Sequence, residues 1–172
     1  MNAKEKTYVM ALAALLLIGL STAWAGYNGI STISTETIQD FATVNVNKPS
    51  ITLKNLKKNV WFYNRTSNVF FIDDTITDAW VRVGVLNMAD IADDFKALDI
   101  NVTLRVASGT GQGDWDVISL GAGTSSVLLY ADVSSGSVDF AVDLYISGRP
   151  AKTEDATISL YCAVEPATVV EA

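Results

Sequence analysis

The sequence contains no histidine and only one cysteine. Without histidine, Ser-His-Asp and Cys-His catalysis are excluded, and so are nearly all catalytic zinc sites. With a single thiol, Cys162, no intrachain disulfide can form. Cys162 lies in the segment ATISLYCAVE, in phase with Ile158 and Leu160. It therefore reads as a small buried hydrophobe rather than a nucleophile. Long basic runs are also missing: Lys54, Lys57 and Lys58 are the only cluster of positive charge in the body of the chain. Phosphate binding needs concentrated positive charge, so nucleic acid is not expected as a partner. The segment GTGQG at 109–113 has neither a following helix nor a lysine, so it reads as a hairpin or strand connection and not as a phosphate loop. There is no nucleophile elbow, no H-E-x-x-H, and no carboxylate pair whose context sets an acid/base role. Neither an enzyme nor a small-molecule substrate is indicated.

What is present begins with a leader. Lys4 and Lys6 precede an apolar run over 8–20, and Ala23-Trp24-Ala25 has the form of an A-x-A cleavage site. Residues 1–25 thus read as a secretory signal peptide, which places the protein outside the cell. Two other readings compete. The apolar run could stay as a membrane anchor, although it is shorter than the roughly 20 residues a span needs. It could be the helix of a type IV pilin, although Gly26, Asn28 and Gly29 interrupt it at once. Removing residues 1–25 from 172 leaves 147, enough for one domain with a real core. Lys4, Lys6 and Glu5 leave with the signal, so 12 basic residues become 10, 19 acidic residues become 18, and the net charge is −8. Such acidity supports solubility or cation binding.

From about residue 43 the pattern is β almost throughout. Alternating runs cover 43–53, 60–63, 69–72, 79–86, 99–106, 115–120, 126–130, 137–147 and 157–164. In VDFAVDLYIS, Val138, Phe140, Val142, Leu144 and Ile146 point one way, and Asp139, Ala141, Asp143 and Tyr145 the other. Period two with one wet face is the signature of antiparallel sheets on a core. Turns are expected at 108–113, 121–123, 134–136 and 148–150. One helix is expected near 88–98, N-capped by Asn87, with Asp90 in its first turn and Met88, Ile91, Phe95 and Leu98 on one face. The expected fold is all-β: a jelly-roll-like antiparallel β-sandwich over 41–172, with one short helix and an N-terminal arm over 26–40.

Acidic residues gather at Asp73, Asp74 and Asp78, at Asp90, Asp93 and Asp94, and at Asp114 and Asp116. Two readings stand: solvated loop charge, or a calcium site within or between subunits, for which six to eight oxygens must converge. No other cofactor is indicated. Asn64-Arg65-Thr66 and Asn101-Val102-Thr103 are N-x-T sequons, so Asn64 and Asn101 are candidate glycosylation sites, with Asn101 expected to point outward. Trp61, Trp80 and Trp115 read first as core or interface residues, and in a rival reading as a sugar platform.

The arm is polar, rich in Ser and Thr, with Tyr27, Ile30, Ile33, Ile38 and Phe41 as its apolar residues. Ile30 and Ile38 share one parity, and Tyr27, Ile33 and Phe41 share the other. Extended at roughly 3.3 Å per residue, 26–40 would reach about 50 Å. Such an arm can add a strand to the open sheet edge of a neighbour. Repeated head to tail, that contact does not close and builds a filament. A linker, or a first strand pairing within its own domain, is the plainer alternative.

The sequence Trp24-Ala25-Gly26-Tyr27-Asn28-Gly29-Ile30 resembles the cleavage-site region of the TasA/camelysin family of extracellular matrix proteins. Asp94-Phe95, Leu98 and Ile100-Asn101-Val102-Thr103-Leu104 resemble that family's Asp-Phe helix end running into a Val-Thr-Leu strand. The likeness is nearest to the archaeal bundling pilins, and residues 70–104 are also similar to archaeal cannula subunits. The resemblance implies a homopolymer of jelly-roll subunits, joined by donor-strand complementation and bundled with neighbouring filaments for cell adhesion and biofilm. It implies that residues 26–38 are the donor, with Tyr27, Ile30, Ile33 and Ile38 as its plugs, and the strands at 137–147 and 157–164 are the expected acceptor. It also brings calcium between subunits, as in cannula-type relatives. A metallopeptidase label borne by some relatives does not fit a chain without histidine. The competing function is a monomeric, membrane-anchored surface module that binds glycan.

Overall fold

The computed structural model describes residues 42–167. The expected signal peptide at 1–25 and the expected donor arm at 26–40, with Tyr27, Ile30, Ile33 and Ile38, lie outside the described residues.

Alternation of apolar and polar residues becomes eight antiparallel strands: β1 Thr43–Val46, β2 Ser50–Leu53, β3 Phe62–Thr75, β4 Ala79–Val85, β5 Phe95–Gln112, β6 Trp115–Ser119, β7 Ser126–Pro150 and β8 Ala156–Pro166. They form one sheet in the order β1-β3-β7-β4-β8-β2, with β5 paired to β7 and β6 to β5. β7 makes this possible. Its first stretch, from Ser126 to Ala131, pairs with β4, whereas from Val138 to Gly148 it lies between β3 and β5. The sheet curls about this shared strand. Val81, Val83 and Ile158 from one half join Phe70, Ile100 and Phe140 from the other in a single buried cluster. The all-β antiparallel fold with one short helix is as expected; the two expected layers are halves of one continuous sheet.

Several connections expected as turns are absorbed into strands. Residues 134–136 bend β7, with Gly136 at φ +69. Residues 108–112 are the end of β5, paired with β7 at Asp139, Ser135, Val133 and Asp132. There the two backbones come too close for side chains: a Cβ on Gly111 would fall on the carbonyl oxygen of Asp132, and one on Gly113 on that of Leu104. Close approach, not turning, is why these glycines are glycines. The Gly121–Gly123 region is the short turn expected, closed by Gly123 at φ +68. The run at 43–53 splits into β1 and β2, one on each half of the sheet.

The helix is shorter than its periodicity suggests. α1 spans Met88–Ile91, a 3-10 turn follows at Ala92–Asp94, and Phe95 already opens β5. Phe95 and Leu98 are buried from a strand, not from a helix face. Pairing with β7 overrides the local helical spacing. Asn87 does not cap α1 with its side chain. Instead its amide donates to Thr157 O (2.8 Å) and accepts from Ser159 N–H (2.8 Å), tying the loop to β8. Asp90 does lie in the first turn. Among the described residues no helix is long and apolar enough to cross a membrane.

Candidate functional site

The registers define two ends. One, the base, carries the loops 54–61, 86–94, 120–125 and 151–155. The other, the top, carries the turn 76–78, the approach of β5 to β7 at 108–114, the bend 132–137 and the last residues of β8. Thr43 pairs with Asp73, so the preceding segment joins the domain at the top. Charge is divided between these ends. The top holds Asp73, Asp74, Asp78, Asp114, Asp132, Asp139 and Glu165, and its loops contain no lysine or arginine. The base is mixed, with Lys54, Lys57 and Lys58 on one loop, Lys152 on another, and Asp90, Asp93, Asp94, Glu154 and Asp155 among them. Among the described residues none of the lysines at 54–58 has a carboxylate within ion-pair distance, whereas Lys152 is held by Asp94 at 2.7 Å.

Of the aspartates that suggested calcium, Asp78, Asp114 and Asp116 accept from backbone N–H groups, while Asp73 accepts from Asn45, Asp74 from Ser137 and Asp94 from Lys152; Asp139 and Asp143 on β7 also take backbone N–H groups. Asp78 accepts from Val133 N–H (2.8 Å) and from the Tyr130 hydroxyl (2.7 Å). Those two bonds hold its carboxyl below the ordinary aspartate range, and the same bond raises the Tyr130 phenol. Asp139 accepts from Ser108 Oγ (2.6 Å) and Asp74 N–H (3.0 Å), and is likewise lowered, chiefly by Ser108. Asp143 accepts from Asn68 N–H (2.8 Å) and pairs with Arg105 Nε (3.3 Å). Among the described residues no three His, Cys, Asp or Glu side chains group as metal ligands.

The strand edges differ in how they are finished. Leu104 N–H donates to Asp114 O, so even-numbered β5 residues face β6 and odd-numbered ones face β7. By the same alternation the outward N–H groups of β6 belong to Trp115, Val117 and Ser119. Asp114 and Asp116 take the first two, each at 2.7 Å, and Asp114 also takes Tyr130 N–H on the facing edge of β7 (3.1 Å). These edges are blunted from within, a known protection against unwanted pairing. Carried across β7, the alternation turns the N–H and C=O of Tyr63 and Arg65 away from β7. On that side β1 covers β3 only from Phe70 to Asp73, and no strand among the described residues covers Tyr63 to Arg65.

Apolar surface collects at the same place. Val60 is 53% exposed, Trp61 50% and Tyr63 67%, and Tyr63 lies against the exposed Tyr145 with ring centroids 6.3 Å apart. Beside them opens a cavity of about 190 Å³, lined by Leu53, Leu56, Val60, Trp61, Phe62 and Asn64, with Lys54 and Lys57 at its rim. Among the polar residues lining it are two lysines, two asparagines and a tyrosine, and no carboxylate.

The residues singled out from sequence are distributed as follows. Cys162 is buried, and burial pushes its thiol up to about 12, as expected for an inert core residue. Asn101 faces outward beside Tyr145, whereas Asn64 pairs with Ile146 and faces inward to the cavity. In each sequon the threonine hydroxyl donates to the asparagine Oδ1, at 3.1 and 3.3 Å. Trp61, Trp80 and Trp115 are all exposed, so none is a core residue. They stand apart: Trp61 at the base, Trp80 against Tyr130 on the β4 half, and Trp115 on β6. The strand at 137–147 is closed on both sides by β3 and β5, so it cannot accept another strand. On β8, β2 covers Ala156 to Ser159; the outward groups of Cys162 and Val164 remain, but those side chains are already buried. The β3 edge was missed because its alternation breaks at Asn68; Val60, Trp61 and Tyr63 in an otherwise polar stretch were its only signal.

No protein-family model matches the chain, and no curated protein matches it.

Proposed function

We propose that this chain is a secreted, non-enzymatic structural subunit of an extracellular filament. Residues 26–38 of one copy add as a strand to the sheet of the next, head to tail, and the resulting filaments bundle to hold cells together. The observation that carries this reading is the β3 edge at Tyr63 to Arg65, with outward backbone groups lacking a strand and exposed apolar side chains beside it. The β6 edge of the same sheet and the β7 stretch facing it are blunted by aspartates, so an open edge beside an apolar patch fits a surface kept for assembly. The resemblance around the cleavage site agrees with it. Two to four arm side chains buried in such a contact would contribute on the order of 5–10 kcal/mol before ordering costs.

The experiment is negative-stain electron microscopy of the chain from Gly26 beside one from Phe41. Filaments from the first alone, with arm peptide capping the second, are the expected result. If both stay folded monomers, or both polymerise, the arm is not the link. With monomers, the glycan-binding surface module becomes the better reading.

A further inference from the structure

We infer that the acceptor for the arm is the β3 edge at Tyr63 to Arg65 together with the adjoining cavity at the base, and that its occupant is residues 26–38 of a second copy; this rests on the donor-strand reading above. Three observations place it there. First, this stretch combines outward backbone donors and acceptors with exposed apolar side chains. On β6 the donors of Trp115 and Val117 are internally capped, and on β8 the side chains are already covered. Second, the cavity beside it is apolar at its floor, with Leu53, Leu56 and Phe62, and basic at its rim, with Lys54 and Lys57. Residues 26–38 set Tyr27, Ile30, Ile33 and Ile38 in a polar Ser/Thr background with Glu36 as their one charged residue, so the segment brings apolar side chains and no positive charge to a cavity lined by apolar residues and two lysines. Third, the arm joins its own domain at the acidic top, and the cavity is at the base. Threading the arm into a neighbour's base brings an acidic top toward the loop of Lys54, Lys57 and Lys58, which have no ion-pair partner among the described residues, at an end that also carries Asp90, Asp93, Asp94, Glu154 and Asp155. The contact is heterologous and leaves a free base and a free top after every addition.

The arm added as an extended strand exchanges backbone hydrogen bonds with Tyr63 and Arg65. Alternate arm side chains then turn toward the cavity and toward Tyr145. Ile30 and Ile33 have opposite parity, so one of them shares the face of Arg65.

The test uses the arm-bearing chain from Gly26. Tyr63→Pro removes the outward N–H while sparing the ladder to β7, and Val117→Pro does the same on the capped β6 edge. The expected result is a folded Tyr63→Pro monomer, judged by circular dichroism, that forms no filaments, and a Val117→Pro chain that forms them. Independently, Ile30→Cys and Ile33→Cys are each combined with Arg65→Cys or with Val117→Cys and oxidised during assembly. A ladder of disulfide-linked oligomers from an Arg65→Cys pair, and none from Val117→Cys, supports the proposal even if Tyr63→Pro misfolds. Crosslinking through Val117→Cys alone, or filaments from Tyr63→Pro, overturns it. If the chain from Phe41 still fails to polymerise in that case, the donor-strand reading survives and only the acceptor is wrong.

Discussion

Asp78 receives a hydroxyl from Tyr130 and an N–H from Val133, and through them fastens the 76–78 turn to the bend of β7. Its folded pKa lies below its unfolded value. The stability it contributes is therefore fully present above the ordinary carboxylate range and is lost as pH falls through the lowered folded value. Asp139, also lowered, acts in the same direction. Tyr130 is raised, so its side of the bond persists below the ordinary phenol value and is lost as pH rises through the raised one. Thermal melts of the wild type should drop steeply below about pH 4. Asp78→Asn should melt lower at pH 7 and lose less between pH 7 and pH 2; an equal acid loss in both would remove Asp78 from this role.

β3 carries two irregularities, one before Phe70 and one before Thr75, and at each a residue adopts a left-handed backbone: Asn68 at φ 53 and Asp74 at φ 54. Each bulge is held the same way, by a β7 aspartate accepting the displaced N–H: Asp143 for Asn68 and Asp139 for Asp74. These two aspartates are the outward alternates of VDFAVDLY, so the polar face of β7 shapes the strand beside it. Ala141, between them, is fully buried despite its outward parity, flanked across the ladders by Phe71 and Arg105. Asp143→Ala leaves the Asn68 N–H without its acceptor and Arg105 without its ion pair. The expected cost is about 0.5–1.5 kcal/mol in urea unfolding, because the freed Asn68 N–H is exposed and can be hydrated, with Arg105→Ala costing less. If Asp143→Ala proves neutral, the bulge is set by β3 alone.

An acidic top without lysine or arginine in its loops, and a base of mixed charge with a lysine loop at 54–58, give the whole subunit a direction. A head-to-tail filament built on it should be salt-sensitive, because exposed charges are screened within about 8 Å at physiological ionic strength and about 3 Å at 1 M. Replacing Lys54, Lys57 and Lys58 together by Glu should slow elongation at low salt, seen as delayed light scattering, while leaving the monomer's melting temperature nearly unchanged. Elongation indifferent to both salt and this triple change would mean that burial of apolar arm side chains alone drives assembly.

Local pattern was sufficient for the fold class. Alternation in 99–106 and 138–146 depends only on the two-residue repeat of a strand, so the all-β core, the inward set of β7 and the burial of Cys162 were legible in the chain itself. What the tertiary structure decided was everything that depends on neighbours. Phe95 and Leu98 fit a helix face by spacing, but pairing with β7 offered them a buried strand instead. The glycines at 109–113 looked like a turn, but Gly111 and Gly113 are there because two backbones approach too closely for a Cβ, and Gly109 adds a left-handed backbone at φ +85. Which strand edges are open, which are capped, and which side chains meet at each end follow from registers such as that of Ser50 with Ser159, 109 positions apart. No local window contains that information, because a strand's spare hydrogen bonds are defined only by the strands beside it.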